Sequence, residues 1–109
     1  MTFSVLGRNP ARGEFGIAIA TYSLAVGATC PQIRPTIGVV TSQAATNPVI
    51  GENVINGLES GERPVDAFRM AISSDPHPES RQVALLTKAG EIQVHTGENT
   101  SPFLSLIHI

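Results

Sequence analysis

Strand-like and helix-like segments occupy separate blocks of this 109-residue chain, and that block order limits the folds it can adopt more than any other feature. Apolar alternation and β-branched runs predict three strands near residues 3–6, 15–22 and 36–42. Two helical stripes follow, and a second hairpin over 82–87 and 91–96 comes last. The order β-β-β-α-α-β-β is typical of an α+β domain built from layered sheets and helices, not of an alternating βαβ fold.

Proline marks the start of both predicted helices. Asn47 is a good N-cap and Pro48 a good first helical residue, while Pro64 opens the second helix. Apolar residues at helical spacing follow each start: Ile50, Val54, Ile55 and Leu58 in the first helix, and Val65, Phe68 and Ile72 in the second.

Turn residues and small residues complete the expected architecture. Breaker residues over 7–13 join the first two strands into a predicted β-hairpin. Gly16, Ala18 and Ala20 alternate along the second strand, and their small size predicts close packing on another layer. Residues 24–35 contain two prolines and a glycine, so we expect a loop there.

Composition excludes several classes of function. Hydrophobic residues make up 41% of the chain, which favours a folded domain over a disordered segment. Seven basic and nine acidic residues argue against a nucleic-acid partner, because binding a phosphate backbone needs a concentrated cationic surface. No apolar run approaches the ~20 residues that span a bilayer, and no secretory signal is visible. These features predict a cytoplasmic protein without a membrane partner.

The last six residues, 104–109, follow the second hairpin without turn or capping residues. The same peptide is encoded by the mosaic-end adaptor that is used to prepare sequencing libraries. We therefore expect residues 1–103 to be the N-terminal portion of a single domain, and residues 104–109 to be a non-native tail. The C-terminal part of the domain would then be missing.

Thr2 is the strongest candidate for a catalytic residue. Methionine aminopeptidase tends to remove Met1 when the second side chain is small, which would leave a free α-amine on Thr2. That amine, with a reference pKa near ~7.7–8.0, can take the hydroxyl proton as the Thr2 oxygen attacks a carbonyl. Many chains begin Met-Thr without such a role, but Thr2 also opens a strand that a hairpin holds in place.

A second group of candidates lies where the third strand meets the first helix. Ser42, Gln43 and Asn47 offer hydroxyl, amide and backbone N–H groups, which can stabilise an oxyanion or hold a substrate. For Asn47 the role of helix cap is favoured, while loop bonding and catalysis stay open as alternatives for Ser42 and Gln43. Arg34 precedes the strand and can bind a carboxylate if it lies near the site.

The histidines and the cysteine carry weaker signals. His77 and His95 have no second ligand at metal spacing, so they are interpreted as surface residues and no metal site is predicted. Cys30 is the single cysteine, which excludes an internal disulfide, and it is interpreted as a small buried residue.

Several short motifs occur in an order that resembles one protein family. They are Thr2-Phe3-Ser4, Gly13-Glu14-Phe15-Gly16-Ile17-Ala18, Leu24-Ala25-Val26-Gly27 before Pro31, Gly38-Val39-Val40-Thr41-Ser42-Gln43-Ala44 before Asn47-Pro48, Arg81-Gln82-Val83 and His95-Thr96-Gly97. Together, from Thr2 to about Pro102, they resemble the uncharacterised bacterial family DUF1028. That family is similar in fold to the N-terminal-nucleophile (Ntn) hydrolases.

The resemblance implies a four-layer αββα sandwich whose nucleophile heads the first strand, which is the position of Thr2. It also implies a longer chain than this one. One departure concerns lysine, because many Ntn hydrolases place a lysine near the nucleophile. The single lysine here, Lys88, falls in the predicted turn of the second hairpin, which leaves Arg34 as the alternative cation.

Two functions follow, from different classes. The first is an amidohydrolase without a metal or organic cofactor, in which Thr2 attacks a small amide or peptide-like bond and its amine acts as the base. Groups around Ser42 and Gln43 would stabilise the oxyanion. The alternative is a non-catalytic ligand-binding or assembly module on the same fold, which the misplaced lysine favours. The expected partner is a small-molecule or peptide-like substrate, and a homo-oligomer is left open.

Overall fold

Two sheets and two helices form the described part of the chain, which confirms the expected α+β class. The computed structural model describes residues 2–22, 24–100 and 105–108. The predicted removal of Met1 and the predicted boundary at Phe103 concern residues outside these ranges. The strands are β1 (Thr2–Asn9), β2 (Glu14–Thr21), β3 (Pro31–Arg34), β4 (Gly38–Ala44), β5 (Arg81–Thr87), β6 (Ile92–Thr96) and β7 (Ser105–His108), and the helices are α1 (Pro48–Glu59) and α2 (Pro64–Ser73).

The first sheet has the order β2-β1-β7 and contains the predicted N-terminal hairpin. β1 and β2 pair antiparallel along their whole length, from Thr2 opposite Thr21 to Asn9 opposite Glu14. Gly13 supplies the positive φ of 65° that the tight turn requires. β7 pairs in parallel with the other edge of β1, so β1 is the central strand among those described.

The second sheet has the antiparallel order β3-β4-β5-β6, and it corrects one expectation. The loop predicted over 24–35 was wrong in its second half, because Pro31–Arg34 form β3 and pair with β4. Pro31 is tolerated because it occupies the first position of an edge strand, where a missing N–H costs little. Pro35 comes directly after the strand, so these prolines border β3 without interrupting it.

The two sheets pack face to face through a small apolar core. Leu6 from β1 lies in one buried cluster with Val39, Ala84 and Leu86 of the second sheet. Side chains alternate along β1, so Thr2, Ser4 and Leu6 face inward while Phe3 and Val5 are exposed. The interlayer face of β1 therefore carries two hydroxyl residues at its N-terminal end.

The small residues of β2 do not pack as expected. Gly16, Ala18 and Ala20 point outward and are exposed, whereas Phe15 and Ile17 contact the core between the sheets. The expectation of close packing on another layer is therefore wrong for the described chain. The alternation along β2 identified its two faces. The bulkier side chains lie on the face towards the second sheet, because they bury more apolar area there.

Both helices cover the outer face of the second sheet, as their apolar stripes predict. Ile50, Val54 and Ile55 of α1 and Phe68 and Ala71 of α2 pack on Val40, Val83 and Leu85. The described chain is thus a stack of helices, four-stranded sheet and three-stranded sheet. Neither α1 nor α2, nor any other helix in the described residues, has the length and apolar character to cross a bilayer.

Candidate functional site

Thr2 lies at the end of the space between the two sheets. It heads β1, faces inward and is only 8% exposed. Its Oγ1 lies 3.1 Å from Oγ1 of Thr21, the opposite residue at the end of β2. Antiparallel pairing and this hydroxyl–hydroxyl contact hold the Thr2 side chain in one place.

A chain of hydrogen bonds runs from β1 across the second sheet at the same end. The Ser4 hydroxyl donates to Oε1 of Gln43 at 2.5 Å, and Nε2 of Gln43 donates to Oε1 of Gln82 at 2.6 Å. Nε2 of Gln82 then donates to Oγ1 of Thr96 at 3.2 Å. We call these four residues the polar row, and each amide in it has a fixed orientation.

Burial fixes the orientation of the groups in the polar row. Ser4 and Gln43 are almost completely buried and Gln82 is nearly so. A buried amide without partners is costly, so the alternating donors and acceptors fix where each group points. Thr2 lies two residues from Ser4, the first residue of this buried row, on the same face of β1.

Ser42 and Gln43, which the sequence groups together, lie on opposite faces of β4. Gln43 faces the first sheet through its bond to Ser4, so Ser42 faces the helices. The Ser42 backbone N–H donates to the carbonyl of Cys30 at 3.0 Å. Among the described residues, the buried hydroxyls of Ser42 and Thr41 have no hydrogen-bond partner. The structure thus brings Gln43 towards Thr2 but not the side chain of Ser42.

Asn47 caps α1 and also joins a buried ion pair. Its Oδ1 accepts from the backbone N–H of Val49 at 3.2 Å, and its Nδ2 donates to Oδ1 of Asp75 at 3.1 Å. Nε of Arg81 lies 2.8 Å from Oδ2 of Asp75, whose side chain is fully buried. Nη1 of Arg81 donates to the carbonyl of Ala45. These bonds hold the segment between β4 and α1 against the start of β5.

Electrostatics at this ion pair follow from its geometry. The Arg81 guanidinium, hydrogen-bonded to Asp75, holds the pKa of that carboxyl below its ordinary value. Burial acts in the opposite direction, and the amide of Asn47 adds to the lowering of the pKa. Asp75 therefore remains an ionised anchor at neutral pH.

Arg34 and Lys88 lie away from Thr2. Arg34 is at the end of β3 opposite Gly38, where its Nη1 contacts the carboxylate of Glu59 at 2.5 Å. Lys88 is exposed in the turn after β5, as predicted. Both residues occupy the end of the second sheet opposite to Gln43, so neither joins the candidate site.

The remaining sequence candidates have structural partners or no ligand cluster. Nε2 of His95 lies 2.8 Å from the carbonyl of Pro78, and Nδ1 of His77 lies 3.4 Å from Oε1 of Glu79. Cys30 is buried, as expected, with Sγ 3.5 Å from Oγ1 of Thr46. Within the described ranges, no three histidine, cysteine or carboxylate residues come together in a way that could hold a metal ion.

Comparison with known proteins decides the family. The model of a family of unknown function, DUF1028, matches residues 2–108. The chain belongs to the DUF1028 family. The crystal structure of protein SPO2555 from Silicibacter pomeroyi, also assigned to DUF1028, is 34% identical and superposes with a TM-score of 0.86. That match covers 94% of this chain and 46% of the other, so this DUF1028 chain spans less than half the length of its solved relative. No curated protein matches the chain.

Sequence reasoning missed three residues of the candidate site. Thr21, Gln82 and Thr96 emerge only from strand pairing, which sets Thr21 beside Thr2 and both Gln43 and Thr96 beside Gln82. Ser4, which the sequence offers only as part of the Thr2-Phe3-Ser4 motif, begins the polar row. Alternation along β1 already placed Ser4 on the face of Thr2, and that was the available signal.

Proposed function

We propose that this DUF1028 chain is part of an N-terminal-nucleophile amidohydrolase with a four-layer αββα sandwich. The observation that carries the proposal is the placement of Thr2. It heads β1, faces the interlayer space and is hydrogen-bonded to Thr21, two residues from the start of the polar row. An N-terminal threonine carries both a nucleophilic oxygen and a basic nitrogen, so one residue can supply both catalytic groups.

The proposed reaction has two steps, acylation of Thr2 and hydrolysis of the acyl ester, and the Thr2 amine is the base in both. Its α-amine takes the hydroxyl proton as Oγ1 attacks the carbonyl carbon of an amide, which forms a tetrahedral intermediate. The protonated amine then gives this proton to the leaving nitrogen as the C–N bond breaks, and an acyl ester remains on Oγ1. Water, deprotonated by the same amine, hydrolyses the ester and restores Thr2.

Gln43 is the member of the predicted oxyanion group that shares the interlayer face with Thr2. Ser4 and Gln82 hold its amide in a fixed orientation, so the dipole need not reorganise during the reaction. Ser42 and Asn47 help to fix the chain on either side of Gln43. The backbone N–H of Ser42 donates to the carbonyl of Cys30, and the side-chain amide of Asn47 donates to the carboxylate of Asp75. The substrate is a small amide or peptide-like molecule, and we place the protein in the cytoplasm.

A non-catalytic ligand-binding module is the second candidate, and the position of the lysine favours it. Lys88 lies at the far end of β5, so no lysine in the described residues is placed to adjust the basicity of the Thr2 amine. The mature N-terminus separates the two functions, because a retained Met1 would block the amine and exclude the enzyme mechanism.

The test is acylation by a β-lactone, followed by peptide mass spectrometry. The enzyme proposal predicts an adduct on Oγ1 of Thr2 in the folded, Met1-free protein. The adduct should be absent after denaturation and in Thr2→Ala. A folded, Met1-free protein that forms no adduct on Thr2 would exclude the nucleophile and favour the binding module.

A further inference from the structure

A cavity of about 250 Å³ lies between α2 and β6, on the helix side of the second sheet. We call it the α2–β6 cavity. Thr2 faces the space between the two sheets, so the second sheet separates this cavity from the candidate site. Cavities that hold drug-sized ligands measure about 300–1,000 Å³, so the α2–β6 cavity suits a smaller molecule.

The wall that α2 contributes is apolar. Val65, Phe68 and Ile72 lie at i, i+3 and i+7, which places them on the face of the helix that is turned towards the sheet. Phe68 is buried, but Val65 and Ile72 are only partly buried. An apolar group in the cavity would therefore remove further apolar surface from water.

The wall that β6 contributes is polar. Gln93 pairs with Leu85, and His95 lies two residues later on the same face of the strand. Leu85 packs against the helices, so Gln93 and His95 face α2. Nε2 of His95 donates to the carbonyl of Pro78 at 2.8 Å, which fixes the imidazole ring. The side-chain amide of Gln93 makes no hydrogen bond to another described residue, so both its donor and its acceptor are available to a ligand.

Arg69 gives the cavity its charge. Among the described residues that line the cavity, it alone carries a permanent charge. Asp66, three residues earlier on α2, is hydrogen-bonded to Arg63 at 2.8 Å. No carboxylate of the described ranges forms an ion pair with Arg69. A guanidinium binds a carboxylate through two parallel hydrogen bonds, and one permanent charge suits a monoanion.

We propose that the α2–β6 cavity binds a small organic carboxylate that carries one apolar group. The apolar group lies against Val65, Phe68 and Ile72, and the carboxylate contacts the guanidinium of Arg69. The Gln93 amide orients the ligand by a hydrogen bond. Thr2 takes no part in this binding, so the inference goes beyond the proposed function and does not depend on it.

Binding of 4-fluorophenylacetate, measured by fluorine NMR, tests the inference, with the neutral 4-fluorophenylacetamide as the matched ligand. We expect the acid to bind about tenfold more tightly than the amide, since a charge-assisted hydrogen bond contributes on this scale. Arg69→Gln should remove this preference by weakening only the acid. Ser73 is an exposed residue at the end of α2 that lines the same cavity, so Ser73→Phe should fill the space and abolish binding of both ligands.

Arg12→Gln is the matched control, because it removes the same charge from an exposed arginine in the turn of the first hairpin. Both affinities should remain unchanged in this variant. A preference for the acid that persists in Arg69→Gln would overturn the proposed ligand class. Unchanged binding in Ser73→Phe, or no saturable binding of either ligand to the folded protein, would overturn the site. Arg69 and Ser73 are exposed, so these substitutions should leave the fold intact, which circular dichroism checks.

Discussion

At the scale of single residues, burial decides which charged pair matters. Arg81 and Asp75 form an ion pair whose side chains are 11% and 0% exposed, while Arg63 and Asp66 form a similar pair on the surface. Water screens the surface pair and can solvate either charge if its partner is lost. A buried carboxylate that loses its partner has no water to solvate it. The buried pair therefore anchors the segment between β4 and α1, and the surface pair does not anchor any part of the site.

Arg81→Leu should lower the free energy of unfolding by roughly 3–5 kcal/mol at pH 7, because it leaves the Asp75 carboxylate buried and unpaired. The pKa of Asp75 is lowered in the folded protein, so the contribution is complete above the ordinary carboxyl pKa and is lost as the pH falls through the lower folded pKa. The difference from the unchanged protein should therefore shrink in acid.

Urea unfolding at several pH values measures this effect. Arg63→Leu is the matched control, since it breaks an exposed pair of the same residue types and should leave stability unchanged. Equal losses in the two variants, or a loss in Arg81→Leu that does not depend on pH, would contradict the assignment of the ion pair as an anchor.

At the scale of elements, much of the structure could be predicted from sequence pattern alone. Asn47 and Pro48 begin α1 as expected, and the hairpins follow their breaker residues. β3 escaped prediction because it begins with Pro31 and is only four residues long, which is too short for a clear period. The polar row escaped because Gln43 and Gln82 are far apart in sequence and meet only through strand register.

Gly97 shows how closely the elements approach one another. Its N–H donates to the carbonyl of Arg81 at 2.8 Å, and a Cβ at this position would overlap the backbone of Pro78 and Glu79. Backbone cannot rotate aside as a flexible side chain can. Gly97→Ala should therefore destabilise the protein by about 1–3 kcal/mol, measured by urea unfolding.

Gly16→Ala is the control for this prediction. Gly16 lies in β2 with open space where a Cβ would be placed, so alanine should be tolerated there. If alanine were tolerated at both glycines, the backbone of residues 78–80 would not be in close contact with Gly97, and the prediction would be wrong.

At the scale of the whole molecule, the layer order places the candidate site. The hairpin of the first sheet lies on the second sheet, and the helices lie beyond it, so Thr2 opens onto the interlayer space. The sequence predicted Thr2 as the first strand residue, but not its neighbours, because facing side chains depend on how two sheets stack. That stacking separates Ser42 from Gln43 and leaves Arg34 far from Thr2.

The central claim is that the α-amine of Thr2 acts as the base for its own hydroxyl. The most direct measurement compares the rate of Thr2 acylation by a β-lactone, as a function of pH, in the Met1-free protein and in a form that retains Met1. The Met1-free protein should react faster as its amine loses a proton, and the Met1-retaining form should be at least ~100-fold slower, the usual contribution of a general base. Equal rates in both forms across the pH range would contradict the claim.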